Sequence, residues 1–493
     1  MAMAELTADA VRAAAEACAA AWGTARLAAA TRGSGDAPRF DAVSGRWPLI
    51  ESADALAVAL DVVPEPAAGG ARALATWVAA ARVRAAVAPY AARLHDWRRR
   101  AAVRVPGGPT VAWGDLGARL STLAGDAATR RALGDARARV AAEALAPLAR
   151  ERVARTCAAV EALGVAAGFD DTFGRLTGEA PAARAALGAA WVALTDAAWG
   201  DSLAERARRR LGLPVRELRG EDLPAVLAAG DDAAAVRGSG LAAMARTQLA
   251  AMGIDPDAGG RVRAGLFGAP YGEPARALAV RVPGEVYVLT RPSTAPDAAR
   301  VYLDALGQAL HRAHADPGLP FETRWQAGAL AALASGALVA TLLRERGWLR
   351  RYAGLSGAAL ERAARAAAFR ELAAVRAAAA RAAVSAAAYG DEVALGDVDA
   401  VYVDRTRAAL GVAPNPGEAM ADVDPPFAVG DRLRGALLAG ALAAELRERF
   451  DEDWWRNPRA GRWLVSAWFG PGPASRPTVD PGPLAAALTR ALE

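Results

Sequence analysis

Apolar residues recur at three- and four-residue spacing along most of this chain, within long segments rich in Ala, Leu, Arg and Glu. This period is typical of amphipathic helices, and Ala, Leu, Arg and Glu have high helix propensity. β-branched alternation is confined to residues 102–113 and 278–289, and each segment contains a Pro-Gly turn. The sequence therefore predicts a mainly α-helical fold with small antiparallel β-hairpins.

The charge pattern argues against nucleic-acid binding and against a membrane protein. The net charge is only +5, and the basic residues are all Arg, interspersed with Asp and Glu instead of forming one stripe. Glu5, Asp9 and Glu16 interrupt the N-terminal segment, where an export signal needs a continuous apolar core. We expect no uncharged apolar run of membrane-spanning length, and hence a soluble cytoplasmic protein.

The segment VYLDALGQALHRAH, residues 301–314, combines helical spacing with side chains that can bind metals. Asp304, Gln308 and His311 follow each other at intervals of four and three residues, so they share one stripe of a helix. A displaced metal site using Asp304 and His311, with His314 as a further ligand, is one interpretation. The alternative is that both histidines pack and hydrogen-bond at the end of a buried helix.

The same segment resembles the zinc helix of gluzincin peptidases, whose motif H-E-x-G-H-A-L-H carries two zinc ligands and a general base. The Gly of the motif falls on Gly307, and its A-L-H falls on residues 309–311. The flanking segments 278–292, 316–338 and 424–461 are similar to those of thimet oligopeptidase and oligoendopeptidase F. The resemblance implies a large two-lobed, helical zincin fold.

This resemblance covers most of the chain, and it is most specific from about residue 205 to residue 469. It implies an N-terminal helical region, residues 1–204, followed by a peptidase-like region, residues 205–493.

The resemblance also implies that the catalytic residues are replaced. Asp304 and Gln308 occupy the positions of the two His ligands, and Ala305 occupies that of the general base. The third zinc ligand, a Glu, should fall within residues 332–335, which read Ala-Leu-Ala-Ser, and we take Ala332 as its position.

A second family segment, D-P-F-Y-V-A-D-Y-L-R, supplies tyrosines that help to hold the carbonyl oxygen of the scissile bond. Ala428 and Arg432 stand at those positions here, so the oxyanion support is missing as well.

Taken together, the resemblance implies a catalytically inactive homologue of a zinc oligopeptidase that binds no cofactor and keeps a peptide-binding channel or a partner-binding role. Two alternatives stay open. One is a metal-dependent peptidase with a rearranged site around Asp304 and His311. The other is a structural or regulatory subunit of an active paralogue, so the expected partners are peptides or an active peptidase.

The hairpin at residues 278–289 provides a means of binding peptides that does not depend on zinc. An extended peptide can pair with the main chain at a strand edge and needs no particular side chains. The apolar alternation of this hairpin is intact. We therefore expect it to bind a peptide through Val280, Val282, Val286 and Val288.

Overall fold

The computed structural model of the chain is mainly helical, which confirms the predicted fold class. It describes residues 6–32, 38–62, 72–105, 108, 110–228, 239–266, 274–291, 293, 297–470 and 479–493. In chain order, the α-helices of these ranges are α1 (Ala8–Arg32), α2 (Phe40–Ser44), α3 (Pro48–Glu51), α4 (Ala53–Asp61), α5 (Ala73–Ala86), α6 (Ala88–Arg100), α7 (Leu116–Ser121), α8 (Ala127–Val140), α9 (Ala146–Glu161), α10 (Gly168–Thr177), α11 (Pro181–Leu194), α12 (Asp196–Leu211), α13 (Leu223–Leu227), α14 (Ser239–Ala251), α15 (Ala298–Ala313), α16 (Gly328–Ala340), α17 (Arg346–Tyr352), α18 (Gly357–Tyr389), α19 (Val398–Leu410), α20 (Asp431–Phe450), α21 (Pro458–Trp463) and α22 (Gly482–Leu492).

Two small sheets accompany the helices. Their strands are β1 (Ala102–Arg104), β2 (Thr110–Ala112), β3 (Val262–Leu266), β4 (Ala275–Arg281) and β5 (Glu285–Thr290). β1 pairs with β2 and β4 pairs with β5, both antiparallel, so the two predicted hairpins are confirmed. The sequence did not predict β3, which lies parallel to β5 and makes it the central strand of a sheet ordered β3-β5-β4.

The helix with the zinc-motif resemblance, α15, lies between this sheet and α16, which in turn packs against α20. The apolar side chains of α15 and β5 belong to one buried core, in which Val286, Val288, Leu303 and Leu310 are all fully or almost fully buried. The long helix α18 contacts both α11 and α19, and so connects distant parts of the sequence. The sheet and α16, which pack on either side of α15, determine which face of this helix is exposed.

Two glycines let α15 and α16 approach each other closely. A Cβ atom added at Gly307 would overlap the carbonyl oxygen of Ser335 and lie 2.9 Å from the Cα atom of Gly336. A Cβ atom added at Gly336 would lie 2.5 Å from Oδ1 of Asp304. Carbon and oxygen atoms do not pack at such distances, so only glycine fits at either position.

An apolar run in the α16 region contradicts our expectation about membrane-spanning length. Residues 326–343 carry no charged side chain, and the helical segment Thr323–Arg344 is long and apolar enough to cross a membrane. In the folded chain, however, 67% of the apolar stretch within this segment is buried inside the protein. α16 packs between α15 and α20. The run therefore has the environment of a core helix.

The predicted boundary between residues 204 and 205 falls inside α12. The two predicted regions are thus joined by a continuous helix instead of a linker.

We predict that Gly307→Ala destabilises the protein, because the added methyl group must push the α16 backbone away from α15. Forcing an extra carbon into a packed contact costs about 1–3 kcal/mol. Gly200→Ala in α12 is the matched control, since a Cβ atom there meets nothing within 4 Å; it should stabilise the helix by about 1 kcal/mol. Chemical denaturation midpoints of both variants would measure this, and equal midpoints would contradict the close contact.

Candidate active site

A cavity of about 1790 Å³ lies beside α15. Its lining includes residues from α6 and α7 in the first part of the chain, and from β4, α15, α16, α18 and α20 in the second. It exceeds the roughly 300–1,000 Å³ of typical small-molecule pockets. The space is thus sufficient for a segment of polypeptide.

One face of α15 forms part of the cavity wall. Its lining residues include Val301, Asp304, Ala305, Gln308 and Arg312, which follow the three- and four-residue spacing of a single helix face. Gln308 Nε2 donates a 2.8 Å hydrogen bond to Oδ2 of Asp304. Both predicted His-replacement positions therefore meet in one place, together with the alanine at the general-base position.

The half-buried position of Asp304 affects its ionisation. Burial raises the pKa of its carboxyl group, because a charged carboxylate loses solvation in the protein interior. The positive charges of Arg300, Arg432 and Arg312 and the hydrogen bond from Gln308 act in the opposite direction and lower this pKa.

The structure does not bring the two histidines into the cavity. His311 is 3% exposed; its Nδ1 lies 3.3 Å from Oγ of Ser335, and its ring packs edge-on against Phe469. His314 Nδ1 lies 2.9 Å from the carbonyl oxygen of Leu310, and its ring also contacts Phe469. Position 311 is on the flank of α15 that α16 covers, which separates it from the cavity face.

Of the segment expected to hold the third ligand position, the cavity is lined by Leu333 and not by Ala332. Ala332 is fully buried in the core, whereas Leu333 lines the same cavity as Asp304 and Gln308. Ser335 is also buried, and its hydroxyl accepts a 2.8 Å hydrogen bond from Nε1 of Trp468. Within residues 332–335, it is therefore Leu333 that faces the cavity, and it carries no donor atom.

Two hydrogen bonds of Asp424 hold the loop before α20, which is followed by Arg432. The Asp424 carboxylate accepts a 2.9 Å hydrogen bond from the Gly430 amide, and the Asp424 amide donates one of 2.9 Å to Oγ of Ser385. Arg432, on the first turn of α20, lines the cavity, whereas Ala428 does not. A guanidinium group thus occupies the wall where the resemblance implies a phenol.

The four valines predicted to bind a peptide are core residues. Val280, Val282, Val286 and Val288 are at most 4% exposed, and none of them lines the cavity. β5 has a neighbouring strand on each side, so it has no free edge, and its β-branched side chains pack into the interior. The cavity instead meets β4, one of the two outer strands of the sheet.

β4 presents main-chain groups at its free edge. The Arg291 amide donates to the Pro274 carbonyl oxygen across the β4–β5 pair. Because hydrogen-bonded pairs alternate along an antiparallel ladder, Arg276 and Leu289 form the next such pair. The N–H and C=O groups of Ala275 and Ala277 therefore point away from β5, and both residues line the cavity.

The residues at this site do not fit a catalytic zinc ion. Such an ion needs about three protein ligands and an open position for water. Here Asp304 and Gln308 bond to each other, and Leu333 and Ala305 supply neither ligand nor base. Across the part of the chain that the structure describes, no group of three or more His, Cys, Asp or Glu side chains is arranged to hold a metal.

Solved structures with a similar fold are peptidases. The M32 carboxypeptidase from Deinococcus radiodurans R1 matches with a TM-score of 0.56 at 14% identity, covering 97% of this chain and 97% of the other. PZ peptidase A with an inhibitor matches at 0.60 and 12% identity, covering 98% and 86%. Metallocarboxypeptidase 1 of Trypanosoma cruzi matches at 0.52 and 12%, covering 98% and 99%. No protein-family model and no curated protein sequence matches the chain.

These likenesses show that the chain has a metallopeptidase fold, as the zinc-helix resemblance implies. They do not single out the group of thimet oligopeptidase and oligoendopeptidase F. They contradict the expectation that no cofactor is involved, because a protein that matches over nearly its whole length is a metallocarboxypeptidase.

We predict that a zinc site can be rebuilt at the positions that the structure identifies. Asp304→His, Ala305→Glu, Gln308→His and Leu333→Glu together should bind one Zn²⁺ per chain, because three ligands then face the cavity. The matched control carries the first three substitutions and keeps Leu333, so it lacks the third ligand and should bind more weakly. Equal affinities in titration calorimetry would show that residue 333 is not oriented toward the other two ligands.

Proposed function

We propose that this protein binds extended peptides along the edge of β4 and does not hydrolyse them. The observation that carries the proposal is the position of that edge. The main-chain groups of Ala275 and Ala277 face the cavity, and no described residue outside the sheet forms a main-chain hydrogen bond with them. A strand edge of this kind is a template for β-strand addition.

The size and position of the cavity support the same proposal. It borders β4 and α15 on one side and α6 and α18 on the others, so a peptide paired with β4 would lie within the protein and lose much of its solvent contact. The edge is partly covered at its far end, where Gly23 of α1 packs against the carbonyl oxygen of Ala279. Pairing would therefore be centred on Ala275 and Ala277.

The absence of hydrolysis is supported by the groups beside that edge. Ala305 cannot accept a proton from water, and general-base catalysis is worth about 10²–10⁴ in rate. Ala428 and Arg432 stand where the resemblance implies phenols, and loss of one oxyanion donor costs about 10²–10³. One loss affects proton transfer and the other affects stabilisation of the oxyanion, so their effects on the rate combine.

We predict that binding of an extended peptide slows amide hydrogen exchange at Ala275 and Ala277, because their N–H groups gain acceptors. Exchange in β5 should not change, since its ladder is already complete. Mass spectrometry with fragmentation to single residues, using a mixed library of unstructured decapeptides, would measure this. Protection elsewhere in the cavity but not at β4 would contradict strand addition.

A substitution tests the same contact from the side of the protein. Ala277→Pro removes an N–H group that points away from β5, so the ladder within the sheet is retained. It should weaken peptide binding, whereas Ala277→Ser keeps the N–H group and should not.

We further predict that the protein leaves peptides intact. A library of peptides incubated with it, with and without added Zn²⁺, should show no cleavage above the background in mass spectra. The variant with the rebuilt zinc site provides a comparison under identical conditions. Turnover by the unaltered protein that is lost on Asp304→Ala would overturn the proposal of inactivity.

A further inference from the structure

Arginine is concentrated in the wall of the cavity. Of the described residues that line it, ten are Arg and five are Asp or Glu. In the whole chain basic and acidic residues are nearly balanced, at 59 and 54. The excess in the cavity is therefore a local property and does not follow from the composition.

The acidic side chains of the wall already have partners. Asp115 and Asp297 form ion pairs with Arg291 and Arg300, at 3.9 and 3.5 Å. Glu371 forms an ion pair with Arg344 at 2.8 Å, and Asp422 forms one with Arg381. Asp304 accepts the 2.8 Å hydrogen bond from Gln308. Asp304 is thus the one carboxylate of the described wall that forms no ion pair, and a single carboxylate cannot neutralise several arginines.

Three arginines of the wall have no such partner. The guanidinium groups of Arg276 on β4, Arg312 on α15 and Arg432 on α20 form no hydrogen bond or ion pair with any residue that the structure describes. They come from three separate elements, and all three line the cavity. The charges of Arg312 and Arg432 act on both Asp304 and Arg276. We refer to these three residues as the arginine cluster.

The members of the arginine cluster repel one another. Burial, together with the neighbouring positive charges of Arg312 and Arg432, lowers the pKa of Arg276 to about 10. Arg276 and Arg312 are half-buried and Arg432 is exposed. Like charges close together in a partly enclosed space raise the free energy of the folded protein. An anion bound among them would relieve this repulsion.

Strand addition at β4 would bring a ligand side chain to this cluster. Residues directly opposite each other in paired strands have Cβ atoms about 4.5–5.5 Å apart on the same face, where opposite charges attract. A peptide paired with β4 would thus carry one side chain opposite Arg276. Arg312 and Arg432 are within electrostatic range of that position.

We propose that the arginine cluster selects acidic peptides by binding the side-chain carboxylate of a Glu or Asp that lies opposite Arg276. This inference rests on the proposed function, since it requires a peptide paired with β4. Guanidinium groups suit this role because their donors match the two oxygens of a carboxylate.

Three decapeptides of one sequence, acetylated and amidated, would test the proposal; they differ only in a central Glu, Gln or Arg. The blocked ends ensure that a terminal carboxylate contributes nothing. By fluorescence anisotropy the Glu peptide should bind about 10- to 100-fold more tightly than the Gln peptide, and the Arg peptide more weakly than either. The preference should decrease as salt is added.

Variants assign this preference to the cluster. Arg276→Gln, Arg312→Gln and Arg432→Gln should each reduce the ratio of Glu to Gln affinity and leave binding of the Gln peptide nearly unchanged. Arg209→Gln is the charge-matched control, because Arg209 is exposed on α12 and pairs with Glu205. It should leave the ratio as it is.

Thermal unfolding distinguishes a variant that has lost selectivity from one that binds poorly because its fold is destabilised. Removing one charge from a repelling cluster should leave the midpoint of unfolding equal or higher, and a clear decrease would show that the arginines are structural and overturn the proposal. If all three peptides bind equally, the selectivity is wrong while peptide binding stands. If none binds, the proposed function fails, and the selectivity with it.

Discussion

The contact between α15 and α16 determines the rest of the site, because two helices that meet backbone to backbone cannot rotate about their own axes. Gly307 lies against Ser335 and Gly336, and Gly336 lies against Asp304. This contact directs Asp304 and Gln308 into the cavity and places His311 in the interior. It also selects Leu333, not Ala332, as the residue of α16 that faces them.

Much of the fold could be predicted from local sequence. Helical spacing and the two β-branched segments are local properties, so the helical class and both hairpins were predictable. β3 was not, because a five-residue strand that pairs in parallel depends on a distant partner and leaves little local pattern. Similarly, the apolar residues of α16 indicate burial or a membrane equally well, and only its packing between α15 and α20 distinguishes the two.

The candidate site was predictable in part, for a reason that concerns helix geometry. Spacing along α15 correctly groups Asp304 with Gln308, and the same spacing includes Arg312, one turn further on. It cannot separate His311 from them, because residues seven apart differ by only about 20° around a helix. The packing of α16 against one flank of α15 decides which of these residues face the cavity. The four valines illustrate the related limit for strands, since alternation does not reveal which strand of a sheet has a free edge.

The enclosure of β4 has a consequence for self-association. An exposed strand edge commonly pairs with the edge of another copy, and proteins avoid the resulting aggregates by charge, by bulges or by covering the edge. Here Ala275 and Ala277 line the cavity, and Arg276, which separates them in the sequence, contributes a charged side chain to the same wall. The sheet of a second folded molecule is too bulky to enter such a space, whereas a single unfolded segment is not. On the proposed function, walls that admit a flexible chain would therefore also prevent polymerisation through the edge of β4.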